Sequence, residues 1–184
     1  MNKNMSTLEN EIDYQHFMSA ALEQADAALQ AGEFPVGCVL VHRYKVVASG
    51  RRRGTASGAR NETDHAEILA LREFYELENA PDPREMTAFC TMEPCLMCFG
   101  ALLIAGIGEI VYAYEDVMGG GTHCDLSGLP ALYSGSPVSI VPGIMRAESL
   151  TLFKTFFRAP DNDYWENSQL AAYTLAQLPG KHHM

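Results

Sequence analysis

Asp64-His65-Ala66-Glu67-Ile68-Leu69-Ala70-Leu71-Arg72 and Thr91-Met92-Glu93-Pro94-Cys95-Leu96-Met97-Cys98-Phe99-Gly100-Ala101 are the two stretches whose reading decides the fold. Each opens a predicted helix, over Asp64–Glu78 and from Pro94 onward, with Pro94 at the favoured first helical position. One imidazole (His65) and two thiolates (Cys95, Cys98) are three ligands suited to zinc, and they leave the fourth tetrahedral position open, as catalytic zinc requires. The partial positive charge of a helix N-terminus favours the thiolate forms. Glu67, two residues from His65, is placed to act as a proton shuttle for a metal-activated water. His-x-Glu together with Pro-Cys-x-x-Cys therefore reads as a catalytic-type zinc site. Cys-x-x-Cys alone reads equally well as a structural zinc knuckle or a redox pair. A structural site, however, wants four protein ligands, and there is no second Cys-x-x-Cys.

Outward from these stretches the chain alternates. Tyr14–Ala31 has apolar residues at helical spacing, with Asp13 as N-cap and Gly32 at the stop. Val36–Val41 and Val46–Ser49 read as strands joined by a turn at His42-Arg43-Tyr44-Lys45. Gly50–Thr63 is loop, and Ala80–Arg84, with two prolines, breaks the helix before it. Met86–Thr91 and Glu109–Ala113 are strands around a helix apolar on all sides, predicted to be buried. Gly119-Gly120-Gly121 reads as a flexible loop. A last strand at Val138–Val141 and helices at Ile144–Phe157 and Asp161–Leu178, the latter ended by Pro179-Gly180, complete the order. Such an order implies an α/β mixed sheet with helices on both faces. The expected organisation is a deaminase domain over 12–158 and a C-terminal helical extension over 161–178, a lid or an interface element.

Composition narrows the class. The 184 residues are 47% hydrophobic and 20% charged, ordinary for a globular chain. The net charge of −10, from 13 basic and 23 acidic side chains, argues against a phosphate backbone as partner. The longest apolar run, Pro94–Gly108, is too short to span a bilayer, and Met1–Glu11 has no apolar core of a signal peptide. No membrane association is expected. Five cysteines suit metal or redox chemistry better than a disulfide framework, and the expected location is cytoplasmic.

Roughly Tyr14–Phe157 resembles the cytidine deaminase-like superfamily, closest to the branch of bacterial tRNA adenosine deaminases and guanine deaminases. Phe34-Pro35-Val36-Gly37-Cys38-Val39-Leu40-Val41 and the two opening stretches carry the resemblance. It implies a three-layer α/β/α sandwich around a five-stranded mixed sheet, one Zn2+ per chain, and a homodimer. It also implies pocket roles for Phe34, Pro35 and Val36, which read as core packing otherwise, and for Ala66, Glu93 and Pro94. Members of this branch carry Gly-x-Asn after the second strand, where the Asn contacts the base. Here Gly50-Arg51-Arg52 puts Arg52 in its place, with Asn61 as a nearby substitute.

The remaining features have two readings each. Arg51-Arg52-Arg53 is a phosphate clamp or a solvated loop. His123 and Cys124 approach the metal or form loop wall, and Cys38 and Cys90 are buried strand residues. Tyr164, Trp165 and Tyr173 close the site as a lid, as a C-terminal segment does in guanine deaminases, or belong to a helix docked on the sheet. The tRNA enzymes have a basic C-terminal end and a His-Ser pair where this chain has Ile104-Ala105-Gly106. After Phe157 the basic residues are Arg158, Lys181 and two histidines. The expected substrate is therefore a small free nucleobase or nucleoside, a purine such as guanine preferred. A tRNA-specific adenosine-to-inosine deaminase is the alternative. A catalytically silent zinc-bearing binding subunit comes third, and the presence of Glu67 argues against it.

Overall fold

The computed structural model describes residues 13–56 and 60–177. The expected helix stop at Pro179-Gly180, Leu178, and the residues before Asp13 lie outside them. In chain order the elements are α1 (Tyr14–Gln30), β1 (Gly37–His42), β2 (Lys45–Arg51), α2 (Ala66–Tyr75), β3 (Met86–Met92), α3 (Leu96–Ala105), β4 (Glu109–Tyr114), α4 (Ala131–Ser134), β5 (Ser139–Val141), α5 (Arg146–Arg158) and α6 (Gln169–Ala176), with a 3-10 turn at Pro83–Glu85 before β3.

The five strands form one mixed sheet in the order β2-β1-β3-β4-β5. β1 runs antiparallel to β2 and β3, while β3, β4 and β5 are parallel. Side chains alternate across the sheet with period two. Val39, Val41, Phe89, Val111 and Ala113 meet Phe17, Met18 and Ala21 of α1 on one face. Cys38, Leu40, Ala88, Cys90 and Ile110 face the other way, toward Ala66, Ala70 and Phe74 of α2 and Phe99 and Leu102 of α3. α5 packs on α1, β3 and β4, and α6 packs on α5. The result is the three-layer α/β/α sandwich. The central strand β3 is buried along its whole length. No helix among the described residues is long and apolar enough to cross a membrane.

Two backbone details set the geometry near the site. The β1–β2 hairpin turns through Arg43 and Tyr44, both at positive φ (44° and 64°), the form that matches strand twist. Farther along, the register slips between Leu40 and Val41, so that Leu40 pairs with Ala48 while Val41 pairs with Val46. Val47 is the extra residue of a β-bulge, and Val47 and Ala48 both pack into the α2-side core.

Four expectations are corrected. The helix predicted from Pro94 begins at Leu96, because the Pro94 carbonyl accepts from Gly121 N (2.8 Å) and Cys95 is bridged to Gly120, which holds both residues extended. The helix predicted over Asp64–Glu78 covers only Ala66–Tyr75, with the Asp64 carbonyl accepting from Arg53 N (3.2 Å). α3 is not apolar and buried all round: Leu96 (64%), Met97 (39%) and Ile104 (59%) are exposed. The helix predicted over 161–178 is α6 alone, since Asn162 turns the chain by bonding both the N–H and the carbonyl of Tyr164, and Ser168 caps the new start.

Gly37 and Gly50 let the helices lie directly on the strands. A Cβ on Gly50 would overlap the Ala66 carbonyl and stand 2.6 Å from Ala70 N, at the very turn of α2 that carries Glu67. Gly50→Ala therefore costs about 1–3 kcal/mol of overpacking. For a domain of this size that lowers the melting temperature by roughly 2–12 °C. Calorimetry showing an unchanged melting temperature would contradict this packing.

Candidate active site

His65 and Cys95 are the N-cap residues of α2 and α3, each in extended conformation. An N-cap side chain ordinarily bonds to the helix's free N–H groups. Neither of these does; instead the two side chains turn toward each other. Cys95 Sγ lies 3.5 Å and Cys98 Sγ 3.4 Å from His65 Nδ1, and the three donor atoms are all within 4.8 Å of one another. A tetrahedral zinc ion with bonds of about 2.0–2.3 Å sets its ligand atoms roughly 3.4–3.8 Å apart. The donor set thus fits zinc in chemistry and in size. The hydrogen bond from Cys98 holds the Cys95 thiol down at about 4, and the same contact, with burial, pushes Cys98 up. A divalent cation at this site would take both sulfurs as thiolates.

Glu67 stands in the first turn of α2, buried (3% exposed), with Oε2 lacking any hydrogen-bond partner. Burial pushes its carboxyl up. Among the described residues it is the one buried side-chain oxygen left unsatisfied. An orphaned acceptor beside an incomplete ligand set is what a proton shuttle requires.

Both groups open into one cavity. His65, Ala66, Glu67 and Cys95 form one side. Phe34, Val36, Met92, Tyr164 and Trp165 supply apolar and aromatic walls, and Arg52, Glu93, Asp116 and Gly119 complete it. Pro35 and Pro94 are buried but do not line the cavity. Asn61 does not line it either: its Oδ1 accepts from Thr63 N (2.9 Å) and Thr63 Oγ1 (2.8 Å), closing a local turn. Tyr173 is placed away from the cavity, its hydroxyl donating to Glu115 Oε1 (2.6 Å).

Arg52 lines the cavity and is itself 2% exposed. Its guanidinium donates to the carbonyls of Arg53 (2.6 Å) and Asn61 (2.8 Å), to Glu62 Oε2 (3.0 Å) and to the Tyr164 hydroxyl (3.4 Å). Tyr164 in turn donates to Glu62 (2.8 Å). Arg52 thereby ties the loop after β2 to the C-terminal segment, so it is not part of a solvated loop. Its neighbours Arg51 and Arg53 are exposed.

Glu93 also has its carboxylate engaged. Oε1 accepts from Thr122 Oγ1 (2.6 Å) and N (3.3 Å) and meets His123 Nδ1 (3.2 Å), while Oε2 accepts from Asp116 N (3.2 Å). This pins residues 116–123 against the start of α3. The Gly119-Gly120-Gly121 run is packed, not free: a Cβ on Gly120 would come 2.5 Å from Glu93 Cδ, and one on Gly121 2.8 Å from Leu96 Cα. The sequence reading missed this wall, and with it Met92 and Asp116. The available signal was a run of three glycines shortly after the strand Glu109–Tyr114. His123 is held by Glu93 and is not among the metal-ligating group, and Cys124 is exposed.

The profile described as the cytidine and deoxycytidylate deaminase zinc-binding region matches residues 11–114. A tRNA-specific adenosine deaminase of Streptococcus pyogenes is 31% identical over 147 residues, 78% of this chain and 89% of that protein. A tRNA-specific adenosine deaminase 2 of Xenopus laevis is 31% identical over 162 residues, covering 84% and 91%. A solved structure from work on A-to-I editing by tRNA:A34 deaminases at the wobble position superposes with a TM-score of 0.59 at 28% identity, over 72% of this chain and all of that one.

These relatives overturn the expectation of a small free base as substrate and of tRNA as the less favoured partner. The physical reason is that net charge is a sum over the whole surface, whereas contact is local. Arg51, Arg53 and Arg72 gather in one groove, with Glu73 and Glu76, although the chain carries −10 overall.

The purified protein is expected to hold about one zinc per chain, and Cys95→Ala or Cys98→Ala to remove it, since two ligands do not make a closed site. Elemental analysis finding full zinc in the double variant would rule out this ligand set.

Proposed function

Since the chain belongs to the cytidine and deoxycytidylate deaminase zinc-binding family and is a zinc-dependent hydrolytic deaminase, we propose that it converts adenosine to inosine in transfer RNA, at the wobble position of the anticodon. The carrying observation is that bacterial and vertebrate relatives at 31% identity, spanning most of this chain, share the name tRNA-specific adenosine deaminase. The cavity supports it in chemistry, offering apolar and aromatic walls to one flipped base.

His65, Cys95 and Cys98 hold the metal. Zinc bound there supplies Lewis-acid activation of water at neutral pH. Phe34, Val36 and Met92 pack the ring and exclude bulk water. Glu67 takes the water proton on Oε2 and delivers it to the ring nitrogen next to the attacked carbon. That carbon gains the water oxygen, the C–N bond to the exocyclic amine breaks, and a second proton passed through Glu67 lets the amine leave as ammonia. Arg52 acts by positioning, through the loop 53–62 and Tyr164. Arg51 and Arg53, on the outward side of the same strand end, meet the phosphates that flank the inserted nucleotide.

The chain works as a homodimer in this reading. Leu96, Met97 and Ile104 of α3, with Leu132 of α4 and Leu129 just before it, give the exposed apolar residues that a second copy covers. Sedimentation should show a dimer in the wild type and a monomer in Ile104→Glu.

The direct test is inosine formation in a tRNA bearing adenosine at the wobble position. Wild type is expected to turn it over far faster than free adenosine or guanine, and Glu67→Ala to lose a factor on the order of 10² or more with zinc retained. Free bases deaminated as fast as tRNA would refute the substrate, and near-normal turnover by Glu67→Ala would refute its role.

A further inference from the structure

Tyr164 and Trp165 stack almost parallel, with ring centroids 5.0 Å apart and planes at 11°. Tyr164 is the inner member, 3% exposed and clamped by Arg52 and Glu62. Trp165 is the outer member and the only tryptophan of the chain, 38% exposed although it lines the cavity. Phe34 packs on both rings from below, at 5.5 and 5.9 Å. The stack therefore starts in the cavity wall and ends on an indole that faces water.

Trp165 also has a backbone φ of +55°, the left-handed region that favours glycine and asparagine. Asn162 brackets Tyr164 on one side, and the Trp165 carbonyl accepts from Ser168 N (3.0 Å) on the other. The inner part of the indole packs on Tyr164 and Phe34, and the remainder stays open to solvent. A bulky ring held in a disfavoured backbone conformation with 38% of its surface in water points to a use outside the fold.

We propose that Trp165 is a stacking platform for the nucleobase adjacent to the deaminated adenosine. This rests on the tRNA reading above. Inserting one base into the cavity strips its neighbour of a stacking partner, and single-stranded RNA is bound by offering such a base an aromatic face. The indole lies at the edge of the cavity, one ring outward from its wall, where that neighbour arrives. Arg60, exposed, lies over the Tyr164 ring at 5.8 Å from its centroid and is paired with Asp163 (2.7 Å).

The test uses an anticodon stem-loop with adenosine at the wobble position, and two versions with an abasic site on either side of it. Trp165→Ala should raise KM on the intact loop by roughly tenfold or more, as loss of one base–aromatic stack does. Trp165→Phe, which keeps a π face, should recover most of it, and Trp165→Leu should not. One of the abasic loops should show a similar rise with wild type and no further rise with Trp165→Ala. Independently of turnover, Trp165 emission in the Glu67→Ala protein should be quenched by the intact loop and not by that abasic one. Zinc content and melting temperature of each variant check that it is folded.

A KM change below twofold in Trp165→Ala, or an effect undiminished on both abasic loops, overturns the platform and leaves the tRNA reading standing. A wild type that deaminates free adenosine but not the intact loop overturns the tRNA reading and the platform with it.

Discussion

Everything near the site depends on two helices beginning at one point in space. His65 and Cys95 give up the ordinary capping bond to meet across a gap of 3.5 Å. α2 and α3 must then enter the site with their N-termini converging, and the sheet must hold them there. Gly50 lets α2 lie flat on β2, and the Cys95–Gly120 bridge fixes the backbone before α3. The macrodipoles of both helices point their positive ends at the thiolates, which adds to the stability of the charged form. Glu67 follows from the same placement, since the first turn of α2 carries it into the cavity with one oxygen unsatisfied. Its burial without a partner costs stability, a cost accepted at reactive positions.

Much of the layered fold was legible from periodicity. α1 and its cap at Asp13 match the reading, with Asp13 accepting from His16 N at 3.0 Å. The β1–β2 hairpin falls where the turn tetrad indicated. The helix starts were misplaced because local rules locate caps by polar side chains and by proline, while here the caps are metal ligands. The C-terminal helix was read too long because Asn162 and Ser168 act through side-chain bonds to backbone that periodicity does not register. The glycine run was misread for a related reason: glycine serves flexibility and close approach alike, and only the neighbour decides. In the site, the two motifs with fixed spacing pointed to the cluster of His65, Cys95 and Cys98 and to the buried Glu67 that the structure brings together. Asp116, Met92 and the engaged state of Arg52 depend on tertiary partners far along the chain.

The substrate was the least legible feature. A net charge of −10 describes the protein at distances beyond a Debye length. A ligand placing one base in a cavity interacts over a few ångströms, where the arrangement of individual groups such as Arg51 and Arg53 matters more than the sum over the surface. Overall charge therefore bears on the rate and salt dependence of encounter more than on which ligand fits.

The bulge at Val47 has a consequence for the three consecutive arginines. Strand side chains alternate, so each residue's face is fixed by counting from the last irregularity. By adding one residue on the β2 side, the bulge sets the parity of everything that follows: Gly50 beneath α2, Arg51 outward, and Arg52 inward to the cavity. In a regular hairpin of the same sequence that count would be off by one. A neighbouring arginine would be directed at the cavity, and Arg52 would lie in the outer groove. The lining of a deaminase pocket is thus governed by a register mark several residues upstream, in a part of the edge strand that touches no ligand.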